Sequence, residues 1–175
     1  MEPVTLRTKR LLLRPFAWSD VEAVYLACQD PDVQVLTAMP SPYRRADAER
    51  FVASMAPAGW AESSSHPLGV FRLDNGVLVG CCALTKDLPG VYSLGYWAAA
   101  SQRGHGYMTE AARALCAWGW ETLDMHRIEW WATVGNAASR AVAEKLGFTV
   151  EATLRKRNIV GGEPRDRWVG GLFRQ

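Results

Sequence analysis

Six consecutive residues in the middle of the chain have the composition of an anion-binding turn. The run Arg103-Gly104-His105-Gly106-Tyr107-Met108 lies between a predicted strand, Val91 to Ala98, and a predicted helix, Thr109 to about Thr122. A glycine-rich turn that opens a helix leaves backbone N–H groups without intrahelical partners, and these groups attract phosphate together with the helix dipole. A side chain at either glycine would hold the phosphate oxygens away from the backbone. We therefore predict that a phosphate-bearing ligand binds here.

The run departs from two common phosphate motifs. Thr109 occupies the third glycine position of the dinucleotide-binding pattern, and the Gly-Lys-Ser/Thr of a P-loop does not follow. An ordinary glycine turn before a helix would have the same composition. The six residues alone leave both interpretations open.

Further segments extend the pattern over most of the chain. They are Leu6 to Pro15, Leu94 to Trp97, Gly106 to Ala111, and Gly135 to Ser139 followed by Glu144 to Phe148. Their order and spacing resemble the GNAT family of N-acetyltransferases, in particular the branch of the ribosomal-protein alanine N-acetyltransferases (RimJ/RimL-like). Arg103 and Gly106 match the first and fourth positions of the family's pyrophosphate pattern, Arg/Gln-x-x-Gly-x-Gly/Ala. Met108 departs from it, because the family prefers a small residue there.

The order of predicted elements indicates an α/β fold with a mixed sheet and helices on its faces. Two helices are predicted early in the chain, from Ser19 to about Gln29, ended by Asp30-Pro31, and from Arg44 to about Met55. A polar loop should follow from Ala58 to Pro67. The resemblance implies the GNAT acyl-CoA N-acyltransferase fold, in which a central parallel strand pair splays apart. A length of 175 residues fits a single domain, residues 1–175.

Composition places the chain among ordinary globular proteins, with 49% hydrophobic and 22% charged residues. No apolar run approaches the roughly 20 residues of a membrane span, and the charged N-terminus lacks a signal-peptide pattern, so we expect a cytoplasmic protein without membrane association. A net charge of +2 is too small to indicate nucleic acid as the main partner. The basic run Arg155-Lys156-Arg157 is predicted to be a solvated strand end, with a phosphate or nucleic-acid patch as the alternative.

The cysteines and histidines do not have the spacing of a metal site, so no metal is expected. Cys28 and Cys116 lie on apolar helix stripes, and adjacent Cys81 and Cys82 point to opposite faces of a strand. All four are predicted to be reduced and structural. A catalytic thiol at Cys81 or Cys82 is the lesser alternative.

The resemblance implies that acetyl-CoA is the co-substrate. It assigns the pyrophosphate to the backbone of the turn and the pantetheine amides and thioester carbonyl to the backbone of Ala98. Asn136 would contact the cofactor and is also a natural helix N-cap. Many family members place a tyrosine on this helix to protonate the leaving thiolate, but Ala143 occupies that position here. Ser139 is the substitute that the branch implies, although it could merely cap the helix.

A general base is not identified by the sequence. The branch often carries carboxylates where this chain has Ser93 and Asn158. Glu110 is favoured as a surface or capping carboxylate over a base. A water chain is therefore predicted to accept the amine proton, which suits an acceptor amine that is partly neutral near pH 7.

Aromatic residues are candidates for acceptor contact, since the chain has eight tryptophans. Trp60, in the predicted polar loop, and Trp97, beside the cofactor strand, are the leading two, with Ser93 a third acceptor-side candidate. Most of the tryptophans should be core residues. Trp130 and Trp131 should face opposite sides of their strand.

These observations favour an N-acetyltransferase that acts on a primary amine, either a peptide or protein α-amine or a small molecule, as a monomer or homodimer. A non-catalytic CoA-binding sensor is the alternative, because both the usual tyrosine and the usual glutamate are missing. A third alternative, a nucleic-acid-binding domain, rests only on the basic run and the net charge.

Overall fold

The chain forms an eight-stranded mixed sheet in a computed structural model that describes residues 1–37 and 39–174. The strands are β1 (Leu6–Arg7), β2 (Leu11–Arg14), β3 (Ser65–Arg72), β4 (Leu78–Leu88), β5 (Val91–Ala98), β6 (Arg127–Thr133), β7 (Thr149–Val160) and β8 (Glu163–Phe173). Their order across the sheet is β1-β2-β3-β4-β5-β6-β8-β7. Only β5 and β6 are parallel neighbours among the described strands. The predicted mixed α/β fold is confirmed.

Helices cover both faces of this sheet. They are α1 (Val21–Ala27), α2 (Pro31–Leu36), α3 (Arg45–Arg50), α4 (Ala56–Ala61), α5 (Tyr107–Thr122) and α6 (Ala137–Leu146). One hydrophobic core lies between the sheet and α5, and the other lies beneath α1, α2 and α3. Apolar side chains that recur every three or four residues give α5 its buried stripe. The buried positions are Met108, Ala111, Ala112, Leu115, Cys116 and Gly119.

The region between β2 and β3 differs from the prediction. Asp30-Pro31 does not simply end a helix, because it also begins α2, with Pro31 as the first helical residue. The Asp30 side chain accepts hydrogen bonds from Asp32 N at 2.8 Å and Val33 N at 3.3 Å, and so caps the new helix.

The loop predicted from Ala58 to Pro67 is also wrong in part, because α4 extends to Ala61 and β3 begins at Ser65. A π-helical turn over Phe51–Met55 joins α3 directly to α4, so helical backbone continues to Ala61. The turn rotates the buried face of the segment and directs Trp60 into the core beneath α5.

The basic run Arg155-Lys156-Arg157 is exposed but is not at a strand end. It lies within β7, where pairing with β8 is interrupted between Leu154 and Asn158. Lys156 has φ +52°, and its N–H donates to Asp166.

The four cysteines are buried free thiols, as predicted. Burial raises the pKa of Cys28, Cys81 and Cys116 to about 12. These thiols are therefore protonated near neutral pH and are poor nucleophiles. Within the described ranges, no helix is long and apolar enough to cross a membrane, and no cluster of three acidic, His or Cys side chains is arranged to hold a metal.

His66 on β3 is fully buried, with its Nδ1 atom 3.3 Å from Leu84 O and its Nε2 atom unpartnered. Burial lowers the pKa of His66, although the bond to Leu84 opposes this and the N-terminal ammonium adds to it. The folded state therefore holds a neutral imidazole that the unfolded chain protonates at a pKa of about 6.5. Stability is fully present above that pH and falls as the pH drops toward the folded pKa.

We expect the free energy of unfolding to fall between about pH 7.5 and about pH 5.5, and to fall less in His66→Gln. Urea titrations of both proteins at the two pH values measure this difference. His126→Gln, at an exposed histidine, serves as the control. An unchanged pH dependence in His66→Gln would contradict the assignment.

Candidate active site

The gap between β5 and β6 defines the candidate site. The two strands pair over three positions, Val91–Ser93 with Arg127–Glu129, and share no ladder beyond them in the described structure. A cavity of about 530 Å³ follows the gap. Facing backbone edges that do not pair with each other can pair with an extended ligand. The implied splaying of the central parallel pair is thus confirmed.

Side chains from both faces of the sheet line this cavity. Tyr96 and Trp130 lie on the α5–α6 face, where they pack against the first core. Trp97 lies on the opposite face, in the core beneath α1. Strand alternation places Trp131 on that opposite face too, so the predicted opposition of Trp130 and Trp131 is confirmed. The gap therefore opens a path through the sheet.

The glycine turn closes one end of the cavity. Gly104 and Gly106 have φ values of +81° and +75°, which side chains rarely adopt. A Cβ atom on Gly104 would meet no atom within 4 Å, so backbone conformation requires glycine there rather than crowding. Gly106 is the N-cap of α5 and provides no side-chain cap. The first-turn N–H groups of α5 therefore remain available to an anion.

Arg103 connects the turn to α2. Its guanidinium donates to Ala98 O at 3.2 Å and pairs with Asp30 at 3.3 Å and Asp32 at 3.4 Å. Burial acts to raise the pKa of Asp30, but backbone N–H bonds from Val33 and Asp32 and the Arg103 charge outweigh it and lower the pKa. Arg103 thus has a structural role beside any role in ligand binding.

Arg10, in the connection between β1 and β2, contacts the remaining residues of the turn. The His105 ring stacks on Tyr107, with centroids 5.3 Å apart, and His105 O accepts from Arg10 Nη1 at 3.0 Å. The Arg10 guanidinium also lies 4.6 Å above the Tyr107 ring. Met108 is buried beneath the turn in the α5 core.

Ser139 lies at the centre of a hydrogen-bond network across the gap. Its Oγ atom accepts from Trp130 Nε1 at 3.0 Å and donates to Tyr96 Oη at 3.1 Å. Tyr96 in turn donates to Ser139 O at 2.8 Å. Asn136 caps α6 by accepting from Ser139 N at 3.1 Å, as predicted. Ser139 therefore has a side-chain network in addition to its place in the first turn.

Tyr96 is a functional candidate that the sequence reasoning missed. The resemblance implies a tyrosine on α6, where Ala143 stands, whereas the structure brings a tyrosine hydroxyl to Ser139 from β5. Alternation in Leu94-Gly95-Tyr96-Trp97 places Tyr96 on the same face as Leu94 and opposite to Trp97. Burial raises the pKa of Tyr96 to about 12, so it is a neutral hydrogen-bond donor near pH 7.

Neither position at which the branch often carries a carboxylate holds one in this chain. Ser93 lies where the β5–β6 pairing ends, opposite Glu129, and Asn158 donates to Thr133 Oγ1 at 2.8 Å. Glu129, which the sequence did not single out, accepts from Arg127 at 2.8 Å and Trp131 at 3.1 Å. Each of its two carboxylate oxygens therefore already accepts a hydrogen bond from a neighbour on β6.

The predicted acceptor contact of Trp60 is wrong. Trp60 lies on α4 and is 2% exposed, its Nε1 atom donates to Pro67 O at 2.9 Å, and it packs edge-on against His66. Its side chain therefore has no access to the cavity. Trp97 does line the cavity, although most of its ring is buried in the core beneath α1.

Glu110 accepts three hydrogen bonds from the N-terminal segment. These come from Thr8 Oγ1 at 2.6 Å, Arg10 N at 3.0 Å and Arg10 Nε at 2.7 Å. Partial burial acts to raise the pKa of Glu110, but these bonds and the Arg10 charge outweigh it and lower the pKa. This carboxylate therefore fastens the β1–β2 turn to the start of α5 and is poorly suited to accept a proton.

Comparison with known proteins gives consistent matches. The chain matches the acetyltransferase (GNAT) domain over residues 10–149. A putative ribosomal N-acetyltransferase, YdaF of Bacillus subtilis (strain 168), is 40% identical over 73 residues, which span 42% of this chain and 40% of that relative's length. A putative ribosomal-protein-serine acetyltransferase from Vibrio cholerae has a TM-score of 0.83 at 26% identity, over 99% of this chain and 100% of its own. RimL, a ribosomal L7/L12 α-N-protein acetyltransferase solved with coenzyme A, shares the fold with a TM-score of 0.88 at 20% identity, over 97% and 98% of the two chains.

Glu110→Gln should lower the free energy of unfolding by about 1–2 kcal/mol at neutral pH, because the bonds from Thr8 and Arg10 lose their charge assistance. Glu144→Gln is the matched control, since its exposed carboxylate pairs one turn away with Arg140. That change should cost less than about 0.5 kcal/mol. Urea unfolding of the two variants gives the comparison, and equal losses would contradict a fastening role for Glu110.

Proposed function

Because this chain belongs to the GNAT family of acetyltransferases, we propose that it moves the acetyl group of acetyl-CoA to a primary amine within a ternary complex. The observation that carries the proposal is the gap between β5 and β6, which opens after three paired positions and leads to the glycine turn before α5. An extended thioester arm that ends in a pyrophosphate needs an unpaired strand edge beside an anion site.

In this proposal the turn from Arg103 to Met108 and the first N–H groups of α5 bind the pyrophosphate. The pantetheine arm then lies along β5 and pairs with the backbone of Ala98. A carbonyl oxygen has two lone pairs, so Ala98 O can accept from Arg103 and from one pantetheine amide together. Asn136 and Ser139 contact the cofactor from the α6 side of the cavity.

The chemical step requires a neutral amine, an oxyanion donor and a stabilised leaving group. The amine nitrogen attacks the thioester carbonyl carbon, whose oxygen becomes anionic, and the carbon–sulfur bond then breaks to give an amide and the CoA thiolate. The Ala98 backbone is the proposed donor to the oxyanion. Holding amine and thioester side by side in the gap contributes much of the rate.

Ser139 is the proposed partner of the departing thiolate. Its hydroxyl proton, donated to Tyr96 in the structure, turns toward sulfur, while Trp130 continues to donate to Oγ. A thiol has a pKa of about 8.5, far below that of an aliphatic hydroxyl, so a hydrogen bond stabilises the thiolate without complete proton transfer. The proton lost by the amine leaves through water.

Water as the proton acceptor suits an amine of modest basicity. Three described carboxylates beside the gap or the turn are already bound, Glu129 by Arg127 and Trp131, Glu110 by Arg10, and Asp32 by Arg103. An α-amine with a pKa of about 8 is roughly one-tenth neutral at pH 7, whereas a lysine amine is far less so. This favours a peptide α-amine or a small amine of similar pKa. The name of the B. subtilis relative supports the peptide class.

Release of the CoA thiol, followed with a panel of peptide and small-molecule amines, tests the proposal. Acceptor-dependent release together with a mass gain of one acetyl group on the amine is the expected result. Binding of CoA without turnover on any amine would instead support a non-catalytic CoA sensor.

Gly106→Asp should weaken CoA binding by at least about tenfold, because a carboxylate enters the proposed pyrophosphate site. Gly76→Asp is the matched control. Gly76 has φ +71° in the β3–β4 hairpin and open space around its Cβ position, so backbone strain is similar while the turn is untouched. Calorimetric titration with CoA measures both variants. Unchanged affinity in a folded Gly106→Asp protein would refute the assignment.

Ser139→Ala should lower kcat by about 10- to 100-fold with little change in CoA affinity, because the thiolate loses a charge-assisted hydrogen bond. Tyr96→Phe should have a smaller effect on kcat, since Ser139 keeps its hydroxyl and its bond from Trp130. Steady-state kinetics with one acceptor provide the comparison. A Ser139→Ala enzyme with nearly normal kcat would limit Ser139 to a structural role.

A further inference from the structure

Arg167 on β8 is a cation that lines the cavity without a counterion. Its Nε atom is buried and has no hydrogen-bond partner among the described residues, and none of the described carboxylates forms an ion pair with it. Its guanidinium carbon lies 5.1 Å from the centroid of the Trp131 ring. Contact with the ring is a cation–π interaction, which leaves the buried Nε–H group without a hydrogen-bond acceptor.

The electrostatic surroundings of Arg167 make this arrangement unfavourable without a ligand. Burial lowers the pKa of Arg167, and the nearby charge of Arg157 lowers it further. A partly buried charge is normally paired, and an unpaired donor carries a desolvation cost. The other cations that line the cavity differ, because Arg103 is paired with Asp30 and Asp32 and Lys145 is exposed.

Strand alternation places Arg167 on the face away from α5 and α6. Its neighbour Trp168 stacks on Trp130, with centroids 6.4 Å apart, on the face that carries Ser139. Arg167 pairs in register with Thr133 and lies over Trp131 on the other face. The proposed cofactor site uses the α5–α6 face and the gap itself. An amine that attacks the thioester must therefore approach from the side of Arg167.

We propose that Arg167 binds an anionic group, a carboxylate or a phosphate, carried by the acceptor amine. The inference rests on the proposed function, because it assigns the side of the gap opposite the cofactor to the acceptor. An arginine fork binds both oxyanions through two parallel N–H bonds. The substrate class is thus an amine with an acidic substituent, such as a peptide with an acidic residue near its free α-amine or a small phosphorylated amine.

Binding can be tested without turnover. Protein labelled with ¹⁵N-arginine and saturated with CoA is titrated with Ala-Glu-amide, Ala-Gln-amide, phosphoethanolamine and ethanolamine. The Arg167 Nε–H resonance is identified as the one that is missing in Arg167→Gln. It should shift when Ala-Glu-amide or phosphoethanolamine is added, and should not shift with the neutral counterparts Ala-Gln-amide and ethanolamine. The carboxylate and phosphate pairs show which oxyanion is preferred. No shift with either acidic compound overturns the proposal.

Turnover supplies the second test. Ala-Glu-amide should exceed Ala-Gln-amide in kcat/KM by about tenfold or more, and Arg167→Gln should bring the ratio close to one. Arg167→Lys should retain part of the preference, because it keeps the charge without the fork. Arg155→Gln, at an exposed arginine on β7, controls for net charge and should leave the ratio unchanged.

The outcomes separate the two proposals. Equal kcat/KM for the paired peptides overturns the role of Arg167 while acetyl transfer stands. A large loss of CoA affinity in Arg167→Gln also overturns it, because Arg167 would then bind the cofactor. Absence of turnover with every amine refutes the proposed function. If the Arg167 resonance still shifts in that case, Arg167 binds an anion that is not carried by an acceptor, and its assignment to the acceptor is overturned as well.

Discussion

The short pairing of β5 and β6 is the constraint on which the candidate site depends. Parallel strands gain a ladder of hydrogen bonds by staying together, yet these two part after Ser93 and Glu129. The separation is stabilised by Ser139, which is bonded to Tyr96 of β5 and Trp130 of β6 at the same time. One residue of α6 therefore bridges the two strands where their own ladder has ended.

The turn at the end of the gap depends on contacts between distant parts of the sequence. Arg10 bonds both His105 O and Glu110, so the N-terminal strands position the backbone on either side of Gly106. These contacts place the left-handed turn against the start of α5. The local glycine pattern permits that conformation, and the tertiary contacts select it.

Sequence reasoning succeeded where the signal was local. The bounds of β5 were predicted as found, and those of α5 to within two residues, because side-chain alternation and a glycine turn before a helix are local signals. Asn136 was recognised as a cap for the same reason. The resemblance supplied the parallel pair and its separation, which periodicity alone does not reveal.

The errors arose where tertiary packing decided the outcome. An Asp-Pro pair can either end a helix or begin a new one, and the local sequence does not distinguish the two cases. Here Pro31 begins α2, and Val33 of that helix packs into the second core. Polar neighbours made Trp60 appear to be a loop residue, whereas the π-helical turn directs it inward. Tyr96 and Arg167 could not be assigned roles from the sequence, because the role of each depends on contact with a residue of another element, Ser139 on α6 and Trp131 on β6.

Arg103 bonds the carbonyl at the end of β5 and the two aspartates at the start of α2. That helix also lines the cavity on the face where Arg167 lies. A ligand that draws the Arg103 guanidinium away from Asp30 breaks an ion pair that restrains the start of α2. Conversely, a ligand that binds only when α2 is in place favours the state in which Arg103 is paired with Asp30 and Asp32. Thermodynamic linkage makes such an effect reciprocal. Arg103 is therefore the side chain through which binding at the glycine turn and the position of α2 can be coupled.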